Sequence, residues 1–409
     1  MHQKRNYPTA IVTQKAERSI LSGHPWVYGI EIIGGDACAD GALTDVVSRR
    51  GAYLGTGFFN SHSKIRIRLI SRNANDKFDE AFFERRLRYA WEYRKSVLSK
   101  EDLSCCRLIF GEADFFPGLT VDRFENILVT QTLSLGIEKI KPMLFRLLYR
   151  ILTEDGQQID GIYERNDSGL RNLEGMEQNC GFFPLEGLPK PDFNTTVIHE
   201  NGIEYAVDFA NGQKTGFFLD QKYNRRAVAA ISRGKRVLDC FTDTGSFALN
   251  AASAGAASVH AVDISESAIS MAKENAARNG LSDRMTFECA NVFDLLPALA
   301  ESKKKEYDFV ILDPPAFTKS RQTVANASRG YREINYRAMK LLPRGGYLAT
   351  CSCSHFMTDE LFRNVIRRAA ADAQVSLRQI EARQQAPDHP ILWNVPETSY
   401  LKFYLFQVV

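Results

Sequence analysis

Hydrophobic and polar positions change their period twice along this chain. Up to about residue 73, apolar residues come in short runs broken by turn formers. "SGHPWVYG" (22–29) carries Gly23 and Pro25, and "GALTDVVSRRGAYLGTGFFN" (41–60) has valines and glycines at strand-and-turn spacing. In "KIRIRLIS" (64–71), Lys64, Arg66 and Arg68 alternate with Ile65, Ile67 and Leu69, which predicts a strand with one basic and one apolar face. From about residue 78 the period lengthens. Phe82, Leu87, Ala90, Trp91 and Val97 recur at helical spacing, strand-like "CRLIFGE", "GLTVDRF" and "NILVTQTL" follow, and "IEKIKPMLFRLLYRIL" reads as a second amphipathic helix. The turn-rich "GLPKPDFNTT" (187–196) is the best boundary.

Beyond it, strands and helices alternate. "RVLDCF" (236–241), "SVHAVDI" (258–264), "MTFECAN", "YDFVILD" and "GGYLATCS" are predicted strands. "GSFALNAASAG" and "SESAISMAKENAARNG" are predicted helices, the second capped by Ser265 or Ser267 and ended by Gly280. That alternation means a parallel sheet with helices on both faces, where ligands bind outside the carboxyl ends of the strands. Three domains are expected, at 1–73, 74–195 and 196–409.

Composition adds limits. With 409 residues the chain exceeds a single core, and 44% hydrophobic and 25% charged residues are ordinary for a globular protein. The net charge of +3 hides an uneven spread: residues 1–72 hold ten Lys and Arg against five Asp and Glu. That surplus is either a solvated sheet face or a small barrel that touches phosphates. No apolar run approaches the roughly 18 residues of a membrane span, and the first twenty residues lack the apolar stretch of a signal peptide. The chain therefore reads as cytoplasmic and away from membranes. Its eight cysteines form no CxxC pair, so neither a disulfide framework nor a metal site is expected.

The candidate chemistry sits at the predicted strand ends. The first strand ends in "DCFTDTGSF" (239–247), where Asp239 and Gly245 bracket a turn into a helix whose backbone N–H groups can hold a polar ligand group. With one glycine this is neither GxGxxG nor a Walker A loop, and alone it reads as an ordinary strand–helix turn. The second strand ends 24 residues later at Asp263, the place of an acid that accepts from ribose hydroxyls. The third ends in "ECANVFDLL", with Asn291 where an amide can read the edge of an adenine ring. The fourth ends in "ILDPPAF" (311–317), where two prolines stiffen the loop after Asp313. The fifth, "YLATCSCSHFMT" (347–358), carries Cys351 and Cys353, which share a face if the strand continues through them. Cys351 lies deeper and reads as core, whereas Cys353 lies at the end beside the DPP loop.

This ordered set resembles the class I S-adenosylmethionine-dependent methyltransferases. "NGQKTGFFLDQKYNRR" (211–226), "DPPAF" and "SCS" (352–354) narrow the resemblance to bacterial large-subunit ribosomal RNA methyltransferase I, and "GHPWVYG" and "KIRIRLI" are similar to that family's PUA segment. The resemblance covers essentially the whole chain. It implies an α/β fold: a Rossmann-like methyltransferase domain with a mixed seven-stranded sheet, preceded by a small PUA-like β-barrel and a central α+β domain. It implies S-adenosyl-L-methionine as cofactor and methylation of a cytosine at C5 in 23S rRNA, with Cys353 as nucleophile and Asp313 hydrogen-bonding the base. Around the cofactor it implies Gln213, Lys214, Thr215, Phe217 and Gln221, with Arg225 on the carboxylate. Asp239, Phe241, Thr242, Thr244 and Gly245 follow near the methionine half, Asp263 and Ile264 at the ribose, Asn291 and Val292 at the adenine, and Asp313 beside them.

For RNA contact, Arg66, Arg68, Lys319, Arg321 and Arg329 are candidates, with Phe317 either stacking on a base or packing in the core. Residues 318–344 hold seven basic residues against one acid. A homodimer is left open. Two departures stand out: "FTDTG" puts Asp243 where the family often has an aromatic, and His355 follows "SCS". Branches of the family modify different nucleotides, even different atoms. Three rivals follow. Methylation of guanine N7 or of an exocyclic amine would leave Cys353 a bystander. A non-catalytic RNA-binding assembly factor would not need the intact set of strand-end residues. A nicotinamide dehydrogenase shares the second-strand acid but lacks the glycine fingerprint.

Overall fold

The computed structural model describes residues 5–188, 190–301, 305–318 and 320–409. The chain forms two units that are not consecutive stretches of sequence. One holds residues up to Ile198 with Val207–Leu219 and Pro387–Thr398; the other holds His199–Ala206, Asp220–Ala386 and Ser399–Val409. A single cut near residue 196 therefore does not describe the division, because two later segments return to the first unit.

In the first unit, period-two alternation builds a six-stranded sheet from β1 (Thr9–Val12), β2 (Trp26–Tyr28), β3 (Ile32–Gly35), β4 (Leu43–Val47), β5 (Tyr53–Phe59) and β6 (Ile65–Ser71). The spatial order is β2-β6-β5-β4-β1-β3, antiparallel throughout except for β1 beside β4. A helix missing from the strand-and-turn pattern, α1 (Gln14–Leu21), starts where the Thr13 side chain accepts the Ala16 N–H. It buries Ala16 and Ile20 with Val12, Val27, Val46 and Ile67. Gly57 is required where β5 meets β6, since a Cβ there would lie 2.2 Å from the Arg68 carbonyl oxygen.

The basic face of β6 does not face solvent as its alternation suggests. Arg68, with a side chain 12% exposed, pairs with Glu174 at 2.9 Å and Glu112 at 3.4 Å. Arg66 donates to the Asn60 carbonyl and lies over the Phe59 ring. Both glutamates come from far along the chain, so no local pattern announces them.

A second sheet, in order β11-β10-β9-β8-β7, uses β7 (Cys105–Phe110), β8 (Leu119–Phe124), β9 (Ile127–Thr132), β10 (Gly161–Asn166) and β11 (Asn179–Phe182). Helices α2 (Glu80–Val97) and α3 (Leu135–Glu154) match the two predicted amphipathic stretches, and a short α4 (Leu170–Leu173) follows β10. Asp79 caps α2 through the Phe82 N–H. A two-stranded ribbon, β12 (Thr195–Glu200) and β13 (Ile203–Asp208), contributes residues to both units.

The second unit is built on a seven-stranded sheet: β14 (Arg236–Cys240), β15 (Ser258–Asp263), β16 (Met285–Cys289), β17 (Phe309–Leu312), β18 (Tyr347–Ser352), β19 (Leu377–Arg383) and β20 (Lys402–Val408). The order is β16-β15-β14-β17-β18-β20-β19. The first five strands named in that order are parallel, and β20 is antiparallel to both its neighbours. Progress along the sheet reverses between β14 and β17, the switch point where open α/β sheets bind ligands. Helices α5 (Lys222–Ser232), α6 (Ser246–Ser253), α7 (Glu266–Arg278), α8 (Val292–Glu301), α9 (Val324–Leu341) and α10 (Asp359–Ala373) complete it. Ser265 caps α7 by accepting the Ala268 N–H, and Gly280, with φ of +65°, follows its end.

One core joins Leu238, Val310, Leu312, Tyr331, Phe362 and Tyr404 from strands and helices alike. Phe362, fully buried there, makes a direct prediction. Phe362→Ala should lose roughly 3–5 kcal/mol of stability, read as a lower urea midpoint by circular dichroism.

Candidate active site at the strand ends

The turn after β14 is strained and holds a buried acid. Phe241 and Asp243 have φ of +64° and +50°, in the left-handed region that side chains avoid, and Gly245 has +84°. Each non-glycine residue so placed costs on the order of 1–3 kcal/mol, and such strain gathers at ligand sites. At Gly245 a Cβ would sit a tight 3.0 Å from the Ala272 Cβ, in a backbone conformation that side chains avoid. Asp239 is fully buried. Its Oδ2 accepts from the Thr242 hydroxyl at 2.7 Å and the Ala248 N–H at 2.9 Å. Its Oδ1 and the Thr244 Oγ1 are buried with no hydrogen-bond partner among the described residues. Burial pushes the Asp239 carboxyl up to about 7, with Asp313 and Asp263 adding to the rise and the two hydrogen bonds opposing it.

Asp263, at the end of β15, ties two loops together. Its oxygens accept the N–H of Asp243 and of Ser265, each at 3.0 Å. Next to it, Ile264 is 70% exposed, an apolar side chain left uncovered beside a carboxylate. Asn291 does not stand as a free amide for a ring edge. Its oxygen accepts the Phe293 N–H and its amide donates to Asp294, so it starts α8, whose first residue Val292 is buried.

At the ends of β17 and β18, Asp313 accepts from the Gln221 amide at 3.0 Å, and Asn224 donates to the Gln221 oxygen at 2.6 Å. Cys351 is fully buried, and burial, then Asp313, push its thiol well above the ordinary range. Cys353 lies one residue past β18, half-buried, with Sγ 3.9 Å from the Pro314 carbonyl oxygen. The two cysteines thus part ways: one is inert core, the other sits at the DPP loop. Tyr331 OH accepts from the Ser352 hydroxyl at 3.0 Å and lies 3.2 Å from that of Ser354. Phe317 packs within a ring cluster of Tyr331, Phe293 and Phe241, at centroid distances of 4.6, 5.7 and 6.4 Å.

Other expectations land differently. Arg225 is buried in an ion pair: its Nε and Nη2 donate to Glu200, at 2.6 and 2.8 Å, and neither side chain is more than 1% exposed. Gln213, Lys214, Thr215 and Phe217 belong to the first unit. There Thr215 donates to Asp122 at 2.5 Å, Phe217 is buried, and Lys214 lies over the Phe218 ring. In the basic segment, Arg332 and Arg337 pair with Asp372 and Glu333. Arg321 and Arg329 are exposed, and Lys319 lies outside the described residues. The sequence reading missed Lys402 at the start of β20, whose ammonium donates to the carbonyls of Ser354 and Tyr400, both at 2.7 Å. A lysine inside the apolar run "YLKFYLFQVV" was the signal.

The strand ends around β14 and β15 fit a ligand with polar and flat apolar parts. They offer two buried oxygens without partners, the carboxylate of Asp263 and an exposed Ile264. Comparison with known proteins gives the family. A family model described as S-adenosylmethionine-dependent methyltransferase matches residues 178–407, and one described as PUA-like domain matches 10–72. A putative SAM-dependent methyltransferase from Streptococcus mutans superposes with a TM-score of 0.80 at 22% identity, covering 98% of this chain and 100% of that one. A putative methyltransferase solved with SAH gives a TM-score of 0.81, also at 22% identity, covering 98% and 100% of the two chains. At that identity both show the fold. The chain is thus an S-adenosylmethionine-dependent methyltransferase with a PUA-like domain at its amino end.

The ribosomal RNA large subunit methyltransferase I of Shewanella denitrificans is 40% identical over 393 residues, which cover 94% of this chain and 96% of that one. The protein of that name from Escherichia coli O9:H4 is 37% identical over 401 residues, covering 98% and 99%. The chain belongs to the ribosomal RNA large subunit methyltransferase I family.

The raised Asp239 carboxyl couples stability to pH. Its unfolded value is about 3.9, so the stability it contributes is full below about pH 4 and is lost as pH rises through about 7. Asp239→Asn removes that loss. Cofactor-free variant should gain on wild type between pH 5 and pH 8, on the order of 1–4 kcal/mol, in urea midpoints taken across that range.

Proposed function

We propose that this chain methylates cytosine C5 in 23S rRNA, in the cytoplasm, with Cys353 as the nucleophile. The position of Cys353 carries the reading: it is half-buried just past β18, against the DPP loop, while Cys351 two residues earlier is sealed in the core. S-adenosylmethionine supplies a methyl group on a cationic sulfur. Asp239, Thr242, Thr244 and Gly245 would hold its methionine half, and Asp263 with Ile264 its nucleoside.

Cytosine C5 is a weak nucleophile and needs activation. Addition of the Cys353 thiolate to C6 forms an S–C6 bond and moves an electron pair towards C5. Once C5 carries its new methyl, a base takes the C5 proton, the S–C6 bond breaks, and the thiolate returns. Asp313, steadied by Gln221, would bond the base at N3 or N4 and stabilise the adduct. The target base must be unstacked from the RNA to reach this edge. Phe317 would form one wall for it, and the exposed Arg321 and Arg329 would meet nearby phosphates.

A Cys353→Ser variant tests this. It should lower kcat on 23S rRNA by more than about a hundredfold, as removal of one positioned reacting group does. Binding of S-adenosylhomocysteine by calorimetry should stay as in wild type. Undiminished turnover would mean transfer to guanine N7 or an exocyclic amine, which needs no thiolate. Mass spectrometry of the product nucleoside identifies the methylated atom directly.

A further inference from the structure

The nucleophile proposed above has a cationic neighbour that no motif around it announces. β20 is antiparallel to β18, and their register places Lys402 opposite Ser352. Because β20 runs the other way, its first residue reaches the edge where the parallel strands end. The Lys402 ammonium then bonds the carbonyl of Ser354, the residue after Cys353, and that of Tyr400, each at 2.7 Å. Two of its three N–H donors are thereby fixed, and the amine is held along the chain that carries the thiol.

We propose that Lys402 is a positioning residue that stabilises the thiolate of Cys353. This rests on the reading of Cys353 as the nucleophile. The side chain is buried, and among the described residues no carboxylate pairs with it. A buried ammonium with carbonyl partners alone is costly, and an anion beside it recovers the cost. Among the described residues, these charged and titratable groups face the pair. Cys353 and Asp359 act on Lys402, and Tyr331 and Cys351 face Cys353. Asp359 is engaged with the Tyr404 hydroxyl and lies 3.9 Å from Arg363. Tyr331, pushed up to about 12 by burial, stays neutral. Cys351, buried, stays a thiol. That leaves Cys353 as the group whose charge Lys402 can favour. Burial lowers Lys402 to about 8, so it is mostly cationic at pH 7. On activation the thiol proton passes to water, Lys402 keeps its own, and the pair ends as ammonium beside thiolate.

The contact could also be a plain structural tie between two carbonyls. Alkylation kinetics separate the two, because they read the thiol and not turnover. Full-length protein is treated with iodoacetamide from pH 5 to 10, and the rate at Cys353 is followed by peptide mass spectrometry. Wild type should alkylate at Cys353 with a midpoint below the ordinary thiol value of about 8.5. Lys402→Met should slow the reaction at pH 7 about tenfold, one unit of midpoint, and Lys402→Arg should restore it. An unchanged profile in Lys402→Met overturns the proposal. If that variant fails to fold, a wild-type midpoint at or above 8.5 overturns it as well. Failure of the nucleophile reading shows elsewhere, as full turnover by Cys353→Ser whatever the alkylation profile.

Discussion

Parallel pairing of β14 to β18 is the constraint on which the site depends. A parallel neighbour needs a crossover that carries the chain back across the sheet, so every strand arrives pointing the same way. The five strands end at Cys240, Asp263, Cys289, Leu312 and Ser352, and all five ends fall on one edge. Residues more than a hundred positions apart meet there without any local cause. β20 then enters against the direction of the rest, and only for that reason does its first residue, Lys402, reach the same edge.

That edge is expensive to maintain. It carries a buried carboxyl with one unpartnered oxygen, two left-handed non-glycine residues in one turn and a buried lysine among carbonyls. Each would be removed by selection for stability alone. The apolar layer beneath offsets them. Leu238, Val310 and Leu312 in the strands and Tyr331 and Phe362 in the helices are all buried in one cluster. Two strained residues, Phe241 and Asp243, and two partnerless oxygens, on Asp239 and Thr244, share one turn at this end of the sheet, a physical mark of a binding edge independent of any resemblance.

Much of this was legible along the chain. The strands ending at Cys240, Asp263, Cys289 and Leu312 are short runs of strand length, and the cap of α7 follows from Ser265 and Gly280. Isolated charges and amides were not legible. Arg68 sits in a clean basic stripe, yet Glu112 and Glu174 claim it. Arg225 lies in the motif segment, yet Glu200 binds it in a buried ion pair. Asn291 looks ready to read a ring edge, and its side chain bonds Asp294 and the Phe293 N–H at the start of a helix. Helix α1 was hidden within a stretch dominated by turns and strands, with only Thr13 to mark it.

Sequence alone determined most of the elements and their kind, α1 excepted, because period and capping are local properties of neighbouring residues. It also determined the reaction class, since Asp239, Gly245, Asp263 and Asp313 recur at strand ends in a fixed order. Tertiary structure decided the state of each charged or reactive side chain. It sealed Cys351, left Cys353 at the edge, turned Arg68 and Arg225 inward and brought Lys402 beside the residue after Cys353. The reason is physical: a charge or thiol is defined by its desolvation and its partners, and both are supplied by residues distant in the chain.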